Sequence, residues 1–575
     1  MLYRTSTLRL LYNIRISSSQ QIILRTLSSS SLSSSSSPKP TRTRLAIGGS
    51  KLSQIQQDGI YPSVIATSLQ NSITTFESGL NGDSKLKRGY VDAVMYLQNV
   101  YNQNNANNNN NNNTQKSELT GRFGYRTATG DESMNGDIMQ EPSENGNHVY
   151  HNLSTEYVSQ VLEQSSLVRL YQGKEEQDMQ QVAELNNTKK VMDDIRKNMN
   201  LIYMAHNPEA QGSEMYAKDA PIDDIREFVK EQMIQAFIGL EYGVSEGQIS
   251  SYGVCSNGLG LPSSHPLHLD WEDIFEAANQ AALTVHGNNM KSGIGAGTGV
   301  ANLSMVQLPI NLLETHGLKV ANRMKNYLAS IKKGEQNLPQ SINVYAMRPL
   351  TAYPDRGTGT GHPFKLVDYM IPTKSLEDNT EKEWTHLIQG SSLPYYTAIL
   401  NETMAHFDAT HILEIKEEEE RELTMEERET LDGCKLLQSM IHDLDTNSST
   451  GQIRSFAAYE EDLYTKIVPL IHDTFEELDD ESADLLQKFF QAHGNAVRHS
   501  IAKTTRQLLR EGGDGVGNYD IDDDVSLQEY ALQYLWEQEC SDGPAKGPLV
   551  DKVVVGCPQA EHVIEAVKIA DKVDK

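Results

Sequence analysis

Two stretches of the 575-residue chain carry side chains whose types and spacing could do chemistry. The first is Asn200-Leu-Ile-Tyr-Met-Ala-His206-Asn-Pro-Glu209, in which a nearly unbroken apolar run ends at a histidine. An imidazole titrates near neutral pH, so it can give, take or hold a proton where a carbonyl or a nucleophile is worked on. An imidazole bonded to backbone in a packed core accounts for the same residue without chemistry. The second is His265-Pro-Leu-His268-Leu-Asp270. Two imidazoles at i, i+3 can share a metal ion and activate water, the arrangement of a metal-dependent hydrolase. Pro266 argues against the helix that would align them, and Asp270 as the cap of a helix starting at Trp271 explains the stretch equally well.

The elements around His206 decide what it can do. Leu201 to Ala205 is too short for a buried helix and reads as a parallel strand covered on both faces, ended by Asn207-Pro208. Similar strands are expected at Leu45–Gly48, Ile73–Glu77, Leu119–Tyr125, Gln248–Asn257, Leu303–Leu308, Ile342–Met347 and Val553–Gly556. Helical spacing lies between most of them: Pro62–Leu69, Lys85–Gln98, Ser154–Leu170, Ile222–Leu240 opened by Pro221 and ended by Gly243, Asp270–Val285, Leu318–Ile331 and His562–Val573. Ser526-Leu-Gln-Glu529 forms a capping box before Tyr530–Trp536. Eight strands, mostly each followed by a helix, predict a (β/α)8 TIM barrel, in which a titratable ring at a strand's carboxyl end faces the mouth. A doubly wound sheet is the competing architecture. Its glycine fingerprint is missing, because Gly293-Ile-Gly-Ala-Gly-Thr-Gly299 has the wrong spacing and precedes no periodic helix.

The barrel is predicted over residues 45–575 with insertions at about 101–118 (rich in asparagine), 127–148 and 174–197 (polar) and 400–515 (charged and helical). The asparagine tract has nothing to bury and reads as disordered. Glu417–Glu420 with Arg421, Arg428 and Lys435 reads as a solvated helical face, with a protein partner as its alternative use. Residues 1–44 differ from the rest: arginine-rich, serine-rich and free of acid, the composition of a transit peptide, with the mitochondrial matrix first and a plastid second. Without that segment's seven cations the net charge of −28 becomes −35, which disfavours nucleic acid. No apolar run is long enough to cross a membrane. Cys255, Cys434, Cys540 and Cys557 are scattered without the spacing of a zinc site and suit a reducing compartment.

The order of strand ends resembles the aldo/keto reductases. The stretch Gly247–Asn257 ends in Gly-Val-Cys-Ser-Asn, close to the Gly-Val-Ser-Asn of their fifth strand. Gln307 stands in the sixth, followed by Asn311-Leu-Leu-Glu314. Ala346-Met-Arg-Pro-Leu350 occupies the seventh, His206-Asn-Pro the fourth, and Gly556-Cys-Pro the eighth. The resemblance implies NADP(H) as cofactor, lying across the mouth, and a small carbonyl substrate. It implies that Ser256, Asn257 and Gln307 hold the nicotinamide carboxamide, Met347 takes the place of a ring-stacking aromatic, and Arg348 and Gly556 serve the cofactor's phosphate side. It also implies a catalytic set made of a tyrosine, a lysine, an aspartate and a histidine. Here His206 supplies the last, Glu77 replaces the aspartate and Arg122 the lysine, while Asn81 or a neighbour stands where the tyrosine belongs. An amide is a very poor acid, and loss of a positioned acid lowers rate by ~10²–10⁴. Tyr125, close to Arg122 in sequence, is the candidate replacement. The implied function is therefore an NADP-dependent oxidoreductase acting on carbonyls. Its alternative is a barrel of the same type that has lost its chemistry and binds a cofactor or acts as a scaffold.

Overall fold

The computed structural model describes residues 44–48, 64–65, 67–68, 71, 73–77, 117–124, 126–127, 149–150, 153–172, 199–290, 300–331, 337–339, 341–353, 363–368, 422, 424–474, 480–512, 517–522 and 525–573. The expected transit segment up to Thr43, the helix at Lys85–Gln98, the asparagine tract, Gly293–Gly299 and most of the polar insertions lie outside them, as do Asn81 and Tyr125. The described residues form two compact units, those within 38–361 and 508–575 and those within 362–507.

The first unit is a closed barrel of eight parallel strands. In chain order these are β1 (Leu45–Gly48), β2 (Thr75–Glu77), β3 (Ser117–Gly124), β4 (Met199–His206), β5 (Ser251–Cys255), β6 (Leu303–Pro309), β7 (Asn343–Met347) and β8 (Lys552–Val555). Each pairs in parallel with its sequence neighbour, and β8 closes on β1. Helices follow the later strands: α1 (Thr155–Gln164) and α2 (Ser166–Gln172) lead into β4, α3 (Ile222–Ser245) follows it, and α4 (Trp271–Met290) and α5 (His316–Ser330) follow β5 and β6. This is the (β/α)8 architecture that strand count and hydrophobic period indicate.

Side chains alternate along each strand, and two buried clusters divide by that alternation. Leu201, Tyr203, Ala205, Val254, Val306, Val344 and Val553 join the layer shared with the helices. Ala46, Ile202, Met204, Cys255, Met305, Tyr345, Met347 and Val554 make a separate cluster that fills the lumen. The lumen's lower end is polar: Glu118 accepts from the Tyr345 hydroxyl at 2.7 Å and the Thr75 hydroxyl at 2.9 Å, with Lys552 Nζ 3.9 Å away. Burial drives the Lys552 ammonium below its ordinary range and, with Glu118 beside it, the Tyr345 phenol well above its own.

Some boundaries differ from the sequence reading for packing reasons. Gly243 lies inside α3 rather than ending it: a Cβ there would sit 2.5 Å from Leu162 Cδ1, so the glycine admits α1. The single helix expected over Ser154–Leu170 breaks at Ser165, whose hydroxyl bonds the buried Tyr203 hydroxyl. Pro221 is the residue before α3 rather than its first turn. Half of the capping box forms: Ser526 Oγ accepts from the Glu529 N–H, opening the helix Leu527–Trp536, while the Glu529 carboxylate accepts from Lys572 Nζ and Gln533 Nε2. The last described helix is Ala560–Val573.

The second unit is helical. Met425–Ser449, Phe456–Asp462, Val468–Thr474 and Asp480–Glu511 surround a core of Ile441, Tyr459, Ile467, Phe489 and Ile501 among others. Buried His493 lies 3.0 Å from the Tyr459 hydroxyl through Nδ1 and 2.9 Å from Asp445 Oδ1 through Nε2. Among the described residues no helix is long and apolar enough to cross a membrane.

Candidate active site at the barrel mouth

Strand register sets the heights of the predicted residues. Gly48 pairs with Glu77, Gly124 with His206, His206 with Cys255, and Cys255 with Gln307. Glu77, Arg122, His206 and Gln307 share the strand parity of the lumen cluster, so all four stand on the lumen side of the carboxyl ends.

They touch. Arg122 Nη2 pairs with Glu77 Oε1, and Arg122 Nη1 lies 3.3 Å from His206 Nε2. Gln307 Nε2 donates to the same Glu77 oxygen at 3.3 Å. One chain of polar contacts therefore joins the ends of β2, β3, β4 and β6. A guanidinium only donates, so Nε2 of His206 accepts and the ring proton belongs on Nδ1. Glu77 is 4% exposed, and its carboxylate is matched by Arg122, as a buried charge must be. Gln307 is 1% exposed, and its Oε1 has no hydrogen-bond partner among the described residues. Gly48 leaves room here, since a Cβ on it would lie 3.3 Å from Glu77 Oε2.

Beneath this chain the Cys255 thiol points at Met347 Sδ, 3.7 Å away. Met347 is 8% exposed and packs in the lumen. Burial pushes the Cys255 thiol up, with Arg122 opposing.

Ser256 and Asn257 open the loop after β5, and each is already held. The Ser256 hydroxyl donates to Glu209 Oε2 at 2.8 Å, and Asn207 Oδ1 accepts from the Asn257 N–H at 3.2 Å and from its Nδ2 at 3.0 Å. Burial pushes the Glu209 carboxyl above the ordinary range, opposed by hydrogen bonds from its own backbone, Ser256 and Gly258. Sequence reasoning passed over Asn207 and Glu209. Their signal was an asparagine and a glutamate in the turn after an inward-facing strand end, read only as a chain break.

A second latch joins the loops after β6 and β7. Arg348, left-handed at φ 57°, places Nη2 2.6 Å from Glu314 Oε1 and its guanidinium 4.9 Å over the Tyr353 ring. Glu314 Oε2 also accepts from Asn311 Nδ2 at 2.8 Å and from the Tyr353 N–H at 3.1 Å. Arg348 is thus bound within the mouth's own loops. Gly556 lies exposed just beyond β8, before buried Cys557, whose thiol burial pushes up to about 12.

The pair His265 and His268 is arranged differently from a metal site. His265 Nδ1 accepts from the Leu267 N–H at 3.1 Å, and His268 Nδ1 lies 2.8 Å from the Leu261 carbonyl oxygen to which it donates. His268 packs edge-on against His316, and burial holds all three rings below the ordinary histidine range. Among the described residues no three His, Cys, Asp or Glu side chains are grouped to hold a metal ion.

No protein-family model matches the chain, and no curated protein matches it significantly.

Proposed function

We propose that the barrel mouth reduces a small carbonyl compound using a nicotinamide cofactor, with NADPH the first to test. The observation that supports this is the chain Gln307–Glu77–Arg122–His206, four polar side chains from four strands meeting at one mouth. The fit to a nicotinamide rests on Gln307: its Oε1 has no hydrogen-bond partner among the described residues, and the amino group of a carboxamide needs an acceptor. Asn257 would complete the grip from the neighbouring loop. When bound, such a cofactor supplies the hydride. The chain's own residues then have three tasks. Arg122 holds positive charge where a carbonyl oxygen turns into an alkoxide, a task suited to a group that never loses its proton. Glu77 keeps that charge in place and orients Gln307. With its Nε2 accepting from Arg122, His206 has the N–H at Nδ1 to offer, so it is assigned the role of orienting the carbonyl, and water supplies the proton that the alkoxide takes up. Import into the mitochondrial matrix is proposed on the composition of residues 1–44 alone.

A second reading has its own observation. Gln307 is 1% exposed and Ser256 is fully buried with its hydroxyl on Glu209, so a cofactor ring must displace side chains to reach them. A barrel that has lost its chemistry and acts as a cofactor-binding or scaffold protein accounts for such a filled mouth. Titration of the purified chain with NADPH, followed by NADPH oxidation against a panel of aldehydes and ketones, separates the two. Turnover abolished by His206→Ala supports the reductase. Binding without turnover supports the second reading, and the absence of both rejects nicotinamide chemistry.

A further inference from the structure

The loop after β4 reaches across to the loop after β5 with two side chains. Asn207 is left-handed, at φ 48° and ψ 58°, a conformation asparagine tolerates better than most residues. Its N–H donates to the Cys255 carbonyl at 2.7 Å, which leaves Oδ1 aimed at both the backbone and the side-chain nitrogen of Asn257. Two residues on, Glu209 is 6% exposed. Its Oε2 accepts the Ser256 hydroxyl and its Oε1 the Gly258 N–H, both at 2.8 Å, while Ser256 Oγ accepts the Leu259 N–H at 3.2 Å. Gly258 fits this contact closely, since a Cβ there would lie 3.0 Å from Glu209 Cγ and 2.7 Å from the Leu267 carbonyl oxygen. Ser256, Asn257 and Gly258 therefore hang on two side chains of another loop. A buried carboxyl is costly unless its hydrogen bonds serve something, and here they serve the three residues next to the mouth.

We propose that Asn207 and Glu209 are positioning residues: they hold Ser256 and Asn257 in the conformation in which the mouth meets an amide ligand. The ligand's identity rests on the nicotinamide reading; the clamp itself does not. Asn207→Gly keeps the left-handed backbone and removes only the acceptor, whereas Asn207→Asp keeps an acceptor oxygen. Glu209→Ala removes both acceptors, and Glu209→Gln keeps one for Gly258.

The test combines hydrogen–deuterium exchange on the full-length protein with NADPH titration of the same samples. Peptides covering residues 256–260 should exchange about fivefold to tenfold faster in Asn207→Gly and Glu209→Ala, as expected for a lost hydrogen bond or two. They should return near the wild-type rate in Asn207→Asp. The dissociation constant for NADPH should rise by a similar factor in the first two variants and recover in Asn207→Asp, a rescue that a general loss of stability does not give. Unchanged exchange at 256–260 in Asn207→Gly and Glu209→Ala overturns the clamp, whether or not NADPH binds. Faster exchange with undiminished NADPH affinity overturns the positioning role. Protected wild-type protein that binds no NADPH keeps the clamp but removes the ligand assigned to it, and so marks failure of the nicotinamide reading instead.

Discussion

Arg122 Nη1 lies 3.3 Å from Nε2 of His206, while the other arm of the same guanidinium pairs with Glu77. The histidine is thus fixed by a donor that cannot be titrated away, and the donor by a carboxylate that is 4% exposed. Removing one member leaves a buried charge without its counterpart. Arg122→Met should therefore destabilise the protein by about 3–5 kcal/mol, and Glu77→Gln combined with Arg122→Met by much less than the two single effects added. Thermal or denaturant unfolding of the three variants measures this. Additive losses would show that the pair does not act as a unit.

Glu209 gives the mouth a predictable pH response. Its carboxyl is pushed above the ordinary range by burial, so folding favours the protonated form. Its stabilising contribution is then complete below the unfolded carboxylate pKa and is lost as pH rises through the higher folded value. Glu209→Gln, which cannot ionise, should match wild type in acid and become relatively more stable as pH climbs beyond the ordinary carboxylate range. Unfolding free energies measured across that window check the sign. A wild-type advantage that grows with pH would mean that Glu209 is held ionised.

The barrel was legible because its strands announce themselves locally. Leu201–Ala205 is apolar on both faces, and Val553–Val555 is a β-branched run before a glycine. The placement of Glu77, Arg122, His206 and Gln307 on one mouth also follows from strand ends taken in order. What escaped depends on partners far apart in the chain. Glu77 and Gln307 are 230 positions apart, Glu118 and Tyr345 are 227 apart, and Glu209 finds Ser256 47 residues on. No periodicity records such pairs. Gly243 misled because a glycine near a helix end reads as a stop, whereas here it makes room for Leu162.

Gly121 shows how closely β3 and β4 are fitted. A Cβ at this position would lie 2.4 Å from Cε2 of the Tyr203 ring, which is fully buried and bonded to Ser165. The ring cannot swing aside without giving up that hydroxyl contact. Gly121→Ala should cost about 1–3 kcal/mol, the usual penalty of overpacking, and Tyr203→Leu should relieve part of it in the double variant. Additivity of the two changes in unfolding free energy would remove the steric explanation.

Among the described residues of the helical unit one histidine is buried, at the centre of its core. His493 is fully buried, stacks on Phe489 at a 5° interplanar angle, and reaches Tyr459 through one ring nitrogen and Asp445 through the other. Three helices, Met425–Ser449, Phe456–Asp462 and Asp480–Glu511, meet at this ring. His493→Leu keeps an apolar side chain in place but strands the Tyr459 hydroxyl, a loss of about 1–3 kcal/mol for a buried group left without its partner. Tyr459→Phe removes the stranded hydroxyl itself, so adding it to His493→Leu should restore part of the stability. Hydrogen exchange in the three helices reads this out on the intact chain. Exchange should accelerate in all three with His493→Leu and slow again in the double variant. Acceleration confined to one helix would mean that the ring does not tie them together.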